Sequence, residues 1–324
     1  MYLVICQKYL LIFHFILLFD VLNILQLVDA MFNMNKPFFI VGISYPYESS
    51  KCGIVSSKSG LRIFGGKKAK EEYPWFVLLK KPKEEYGFCG GSLITKQHVL
   101  TAAHCYTTEK DEKYWKNEYV ILFNIKNVCK DKGNKVIKQD RVIIHPGFNS
   151  NNVFTEEKEL CDIAVIRLEK KIRNTIVCLP KDDKLPKKGI IIGFGATSED
   201  KNKSCELQEA YVNIPNNKMC GKSKAEKTFS KKDNFCAKAE NSDSCKGDSG
   251  GPLVHEKDGQ YVVYGIVSLG YGCGRKNATG FYTNIISHLP WIKNVVKKTE
   301  TIGDLSKSVL TNFLKKLNLI HLRS

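Results

Sequence analysis

The sequence predicts an all-β fold, an antiparallel sandwich or barrel arrangement closed by a C-terminal helix. Three observations lead there. From Ile63 onward, short β-branched and aromatic runs recur between turns rich in Gly, Asn, Asp and Lys. Twelve cysteines, none in the CxxC pairs of a zinc ribbon, indicate disulfides and an oxidising compartment. The 324 residues, 43% hydrophobic and 26% charged, are enough to bury one large core or two modest ones.

The elements follow in chain order. Residues 9–28 are largely Leu, Ile, Phe and Val, with Lys8 before them and Val28-Asp29-Ala30 as a small-residue cleavage site. Such a segment reads as a secretory leader over residues 1–30. His14, Asp20 and Asn23 interrupt the apolar run, so a retained signal anchor stays open, as does a later start at Met31 or Met34. Residues 31–62 hold Pro37, Pro46, scattered Ser and a single Cys52, with no sustained period, and read as a propeptide. Residues 63–298 form the expected domain. Its strand candidates are Phe76-Leu79, Val120-Phe123, Val142-Ile144, Ile163-Leu168, Ile190-Ile192, Ala210-Ile214 and Tyr261-Ser268. Ser287-His288-Leu289-Pro290-Trp291-Ile292 opens the closing helix, with Ser as cap and Pro in the first turn, where its missing N–H is harmless. Residues 299–324 place Leu305, Val309, Leu310, Phe313, Leu314 and Leu317 at helical spacing among lysines. That pattern suits a basic amphipathic tail, packed on its own domain or touching a membrane or partner.

A formal charge of +17 raises the question of a polyanionic partner. The lysines are scattered through loops such as Lys80-Lys81 and Lys187-Lys188 with no RNA- or DNA-binding motif around them, so nucleic acid is not expected as a partner.

The chemistry concentrates in three segments. Asp243-Ser244-Cys245-Lys246-Gly247-Asp248-Ser249-Gly250-Gly251-Pro252 exposes one hydroxyl among glycines that permit close backbone approach. A serine hydroxyl is a poor nucleophile at neutral pH, so Ser249 needs a base within hydrogen-bond reach and a group that orients the base. His104, in Leu100-Thr101-Ala102-Ala103-His104-Cys105, and Asp162, at the mouth of the apolar run Ile163-Ala164-Val165-Ile166, supply those residue types. Gly247-Asp248-Ser249-Gly250-Gly251 also fits the elbow of α/β-hydrolases, whose later histidine could be His255 or His288, but the β-rich pattern does not suit that fold.

In motif, chain order and spacing, these segments resemble the chymotrypsin and trypsin family over about Cys52 to Lys298. The resemblance implies two six-stranded antiparallel β-barrels with a C-terminal helix. It also implies a mechanism, carried over from that family: His104 takes the proton of Ser249 and returns it to the leaving amine, Asp162 fixes the imidazole tautomer, and the N–H groups of Gly247 and Ser249 form the oxyanion hole. Gly60-Leu61-Arg62-Ile63-Phe64-Gly65-Gly66 resembles the family's activation site. Cleavage after Arg62 would free an ammonium on Ile63 to bury against Asp248, although Phe64 replaces the usual Val. Asp243, six residues before Ser249, falls at the base of the family's primary pocket and implies a preference for Arg or Lys. Ser268, Gly270 and Gly280 match its walls, while Leu269 replaces the usual Trp.

The resemblance pairs Cys89 with Cys105, Cys220 with Cys236, Cys245 with Cys273, and Cys52 with Cys178, the last tethering the propeptide after cleavage. His255 and Gly189 replace a further family cysteine pair. Cys6 lies in the leader, and Cys129, Cys161 and Cys205 remain as an odd set. Pairing Cys129 with Cys161 is preferred, leaving Cys205 free or intermolecular. No Cys and His spacing suggests a metal, and no cofactor is expected. Asn202-Lys203-Ser204 and Asn277-Ala278-Thr279 are glycosylation acceptors. The expectation is a secreted, monomeric serine endopeptidase acting on Arg- or Lys-containing proteins and meeting an activating protease and protein inhibitors. The alternative is a catalytically idle homologue that binds partners through its basic surface and tail.

Overall fold

In a computed structural model of the chain, the described residues are 52–55, 67–69, 72–81, 84–106, 119–125, 127–130, 135–148, 161–196, 203–215, 232–239, 248–270 and 279–316, with backbone alone at 67, 135–137, 239, 270 and 302–316. The leader, Arg62, Ile63, Cys220, Asp243, Cys245, Gly247, Cys273, the glycosylation acceptors Asn202 and Asn277, and the last residues of the tail lie outside them.

Two antiparallel barrels carry the fold. The first closes through six strands in the order β2 (Phe76–Lys80), β3 (Cys89–Leu93), β4 (His98–Thr101), β7 (Ala164–Leu168), β6 (Lys135–Ile144) and β5 (Val120–Phe123). The second closes through β8 (Lys188–Gly193), β9 (Gln208–Asn213), β10 (Asn234–Ala239), β13 (Thr279–Asn284), β12 (Gln260–Gly270) and β11 (Pro252–Lys257), with the short β1 (Lys67–Lys68) added along β9. Closure removes exposed strand edges, which suits a chain rich in short apolar runs. The expected architecture of two six-stranded barrels and a C-terminal helix is the one observed.

Each strand run named from sequence falls on a strand. Six strands carried no such run: β1, β3, β4, β10, β11 and β13. β3 reads Cys-Gly-Gly-Ser-Leu, a poor strand by propensity, yet it is buried throughout its length. Its glycines serve packing: a Cβ on Gly91 would lie 2.8 Å from Val99 Cγ1 and 2.9 Å from Val77 Cγ2.

The closing helix, α1 (Ile285–Lys316), begins earlier than expected. Asn284 caps it, its Oδ1 accepting from Ile286 N at 3.1 Å, while the Ser287 hydroxyl turns to the Lys232 carbonyl. Pro290 therefore sits in the second turn. The helix runs unbroken into the region expected as a tail. Ile285, His288, Ile292, Val295, Val296 and Thr299 are its buried face. Among the described residues, no helix is long and apolar enough to cross a membrane.

Cys52–Cys178 and Cys89–Cys105 form as expected. Cys236 is disulfide-bonded, and its expected partner Cys220 lies outside the described residues, as does the expected Cys245–Cys273 pair. The Cys129–Cys161 pairing is corrected: Cys129 bonds Cys205 instead, across a Cα separation of 5.3 Å. The reason lies in the backbone, where Val128 N donates to Cys205 O at 2.7 Å and Asn127 bridges Glu206. That pairing brings the turn after β5 to the residues before β9, so Cys205 is neither free nor intermolecular. The exchanged cysteine pair leaves its trace as well: Ile190 pairs with Val254, so Gly189 and His255 are the next residues in that register.

Candidate active site

His104 rides on a short 3-10 turn (Ala103–Tyr106) that continues from β4, and its neighbour Cys105 is bonded to Cys89 at the head of β3. Asp162 lies just before β7, which pairs with β4 from Ala164↔Thr101 onward. The register of two neighbouring strands thus delivers both side chains to one end of the first barrel.

There they meet. His104 Nδ1 lies 2.7 Å from Asp162 Oδ2, and the His104 backbone N–H donates to Oδ1 at 2.8 Å. A carboxylate only accepts, so the proton sits on Nδ1 and Nε2 presents a lone pair, the form a general base needs. The second barrel completes the cradle: Ser268 Oγ on β12 donates to Asp162 Oδ2 at 2.5 Å, and Thr283 Oγ1 on β13 donates to the Asp162 backbone carbonyl at 2.8 Å. The Asp162 side chain is 3% exposed and that of His104 18%.

Burial alone would raise the Asp162 pKa, but the His104 charge and the hydrogen bonds from His104 and Ser268 outweigh it and hold the carboxyl below the usual carboxylate range. Burial alone would lower the His104 pKa, and the Asp162 charge and hydrogen bond outweigh that in turn, leaving it raised.

Ser249 belongs to the turn that enters β11 and is half-buried. Its carbonyl accepts from Gly90 N on β3 at 2.7 Å. Gly250 beside it has φ +75°, where a side chain is strained, and a Cβ there would come 2.3 Å from Thr101 Oγ1 and 3.2 Å from Ala102 N. The serine turn is therefore packed directly on the segment that leads to His104. A hydroxyl so placed, a base with its lone pair free of the carboxylate, and a carboxylate behind the base are the parts needed for acyl transfer.

Asp248 precedes Ser249 and is buried. Its Oδ1 accepts from Gly195 N at 2.8 Å, and a Cβ on Gly193 or Gly195 would fall 2.0 Å from Oδ1 or 2.3 Å from Oδ2. The carboxylate is thus wedged against a two-glycine step after β8. Gly270 and Gly280 stand opposite each other in the β12–β13 register, a gap without side chains at the strand end. Ser268, expected in the pocket wall, directs its hydroxyl to Asp162. Arg62, Ile63, Asp243 and Gly247 lie outside the described residues.

Sequence reasoning missed the roles of Thr283, Gly193 and Gly195. Nothing local marks them, because each acts on a residue at least 50 positions away.

Comparison with known proteins agrees with this geometry. The family model Trypsin matches residues 63–292. The chain is similar to the CLIP domain-containing serine protease B9 of Anopheles gambiae, 34% identical over 78% of this chain and 66% of that protein, so it spans just under two thirds of that relative's length. It is 31% identical to the clotting factor G beta subunit of Tachypleus tridentatus, over 72% of this chain and 79% of that one. To the venom peptide isomerase heavy chain of Agelenopsis aperta it is 32% identical, over 72% of this chain and all of that one. Two closed barrels, a buried His–Asp pair against a serine turn, and a family match across most of the chain lead to one conclusion: the chain belongs to the trypsin-like serine protease family.

Proposed function

We propose that the chain is a secreted serine endopeptidase that cuts after Arg or Lys, with Ser249 as nucleophile, His104 as general base and acid, and Asp162 as the group that orients His104. The observation that supports this most is the 2.7 Å His104–Asp162 contact, buried and held in one tautomer, with the Ser249 turn packed on the segment leading to His104. In this reading Ser249 Oγ attacks the peptide carbonyl as His104 Nε2 takes its proton, and the N–H groups of Gly247 and Ser249 bind the oxyanion. His104 then protonates the leaving amine, and water repeats the sequence to release the acid. Asp243 at the pocket base gives the preference for a cationic side chain, since an apolar one would leave a desolvated carboxylate without a partner. The facing Gly270 and Gly280 are consistent with an open pocket.

Activation follows the same logic. Cleavage between Arg62 and Ile63 frees an ammonium that pairs with Asp248, ordering the oxyanion turn. The Cys52–Cys178 disulfide keeps the cut segment attached, giving a two-chain enzyme. Residues 1–30 act as a leader, residues 31–62 as the propeptide and residues 63–298 as the protease domain.

Family membership alone does not fix the reaction, since one relative is named an isomerase. The decisive experiment is therefore hydrolysis itself. Protein cut after Arg62 is expected to hydrolyse Arg and Lys amide substrates and to ignore their apolar counterparts, while Ser249→Ala loses at least about a thousandfold in kcat. Equal rates for the two proteins would remove Ser249 from the mechanism, and absence of hydrolysis in both would favour the idle homologue.

A further inference from the structure

A second cluster of chemically capable side chains adjoins Asp162 through the preceding residue, Cys161. His145, Cys161 and His288 bring two ring nitrogens and a sulfur to within 4.8 Å of one another. They come from three places: His145 directly follows β6, Cys161 directly precedes Asp162, and His288 lies in the first turn of α1. The backbone holds the first two together, with His145 N donating to Ile163 O at 3.0 Å and Ile163 N to Cys161 O at 2.8 Å. Cys161 and His288 are buried and His145 half-buried. The sulfur is not among the six in the described disulfides.

The surroundings are those of an oriented ligand set. His288 Nδ1 lies 2.8 Å from the Asn284 carbonyl, which can only accept, so Nδ1 carries the proton and Nε2 offers its lone pair. A metal-bound imidazole commonly has its other nitrogen held in this way. Asp233 Oδ1 stands 4.0 Å from His288 Nε2, adding a carboxylate at the same edge. Gly147 lies beside the cluster: its N–H donates to His145 Nδ1 at 3.1 Å, so Nδ1 is the unprotonated nitrogen and an ion bound there replaces that hydrogen bond, and a Cβ on Gly147 would meet Cys161 Sγ at 3.0 Å. The His145 ring also lies against Trp291 of α1 at 4.9 Å, which limits its rotation.

We propose that His145, Cys161 and His288 form a binding site for a divalent ion of the zinc type. Two imidazoles and a thiolate suit zinc and its borderline neighbours, whereas calcium and magnesium take oxygen ligands. Zinc bonds of about 2.0–2.3 Å place tetrahedral donors roughly 3.5 Å apart. The observed donors, within 4.8 Å of one another, need to close by at most about 1.3 Å through small shifts of the three side chains. The bound ion cross-links the end of β6, the segment entering β7 and the start of α1. It does so one residue from Asp162, so occupancy bears on how firmly that carboxylate is held. No spacing in the sequence shows the site, because its ligands are 16 and 127 positions apart.

The other group with metal-like composition, Cys89, His104 and Cys105, carries no such inference, because its two sulfurs are bonded to each other.

The test uses the full chain with disulfides intact, stripped with a chelator and titrated with Co²⁺ alone. Wild-type protein is expected to develop thiolate-to-cobalt charge-transfer absorption that saturates at one ion per chain and is displaced by Zn²⁺. Cys161→Ser is expected to lose that band, and His288→Gln to bind at least about tenfold more weakly. Zn²⁺ is also expected to raise the thermal midpoint of the wild type but not of Cys161→Ser. A wild-type titration without a thiolate band overturns the proposal, whether or not the variants fold, and so does an unchanged band in Cys161→Ser. None of these readouts depends on peptide hydrolysis, so this site and the proteolytic reading stand or fall separately.

Discussion

Asp162 shows how much one side chain does when its partners are fixed. It accepts from two groups of His104 and from Ser268, so its charge is spread over three donors in a site shielded from solvent. Charge-assisted hydrogen bonds of this kind are roughly twice as strong as neutral ones, which is why the carboxylate stays ionised despite burial. Replacing it by Asn keeps the volume but lets the amide N–H₂ face His104, turning the ring to the wrong tautomer. Asp162→Asn is expected to lower kcat about 10⁴-fold with a small change in KM. The pH dependence adds a second check. The proposed mechanism needs unprotonated His104, and Asp162 raises its pKa, so the wild-type rate is expected to fall as pH drops through a value above the ordinary imidazole range near 6.5. Asp162→Asn removes the raising charge, and the acid limb of kcat/KM is expected to move to lower pH. A limb that stays in place would mean that a different group sets it.

At the scale of elements, the step after β8 decides whether Asp248 can hold its position. Gly193 ends that strand, and Gly195 donates to the carboxylate from two residues later. A Cβ on Gly193 would sit 2.0 Å from Oδ1, a clash with the polar end of a buried side chain that has glycine backbone on its other flank. Gly193→Ala is therefore expected to reduce kcat/KM at least about tenfold by displacing Asp248 and the serine turn attached to it, and to lower the thermal midpoint by several degrees, about 1–3 kcal/mol of overpacking. Unaltered kinetics would show that the carboxylate has room to move. The same step marks the limit of what sequence discloses about elements. Strands such as Ile190-Ile192 announce themselves by β-branched runs, and the serine, histidine and aspartate segments are legible because their chemistry needs distinctive neighbours within a few residues. β3 is hidden, because its glycines contradict strand propensity for the sake of close packing that only the folded barrel defines. Cys129 and Cys205 are hidden likewise: their pairing depends on a contact between the two barrels, and cysteine counting carries no register. The helix cap moved from Ser287 to Asn284 because both are good caps and only the path of β13 selects between them.

For the whole molecule, the question is what fastens the C-terminal helix to a barrel formed far earlier in the chain. His98 provides one fastening. It is fully buried on β4, with Nδ1 2.7 Å from Thr95 Oγ1 and Nε2 2.8 Å from Thr299 Oγ1 on α1. The Thr299 hydroxyl donates to the Val295 carbonyl, so it accepts from Nε2–H, and Thr95 must then donate to Nδ1. The neutral form satisfies both ring nitrogens in this arrangement. Burial, with Arg167 and Lys171 nearby, lowers the pKa from 6.5 to about 4. The sign follows from proton counting: between those values the unfolded chain binds a proton that the folded one refuses, so stability is lost as pH falls from about 6.5 to about 4 and levels off below. The shift corresponds to about 3 kcal/mol across that window. His98→Gln keeps a polar group on β4 but cannot take up the proton. The variant is expected to be less stable than the wild type at pH 7, with the gap closing by about 3 kcal/mol by pH 4, as followed by denaturant midpoints along the pH series. If the two stability curves ran parallel, His98 would not be the acid-sensitive link between barrel and helix. If they converge, then a single neutral imidazole, 201 positions from its partner, sets the acid limit of the joint that holds the closing helix in place.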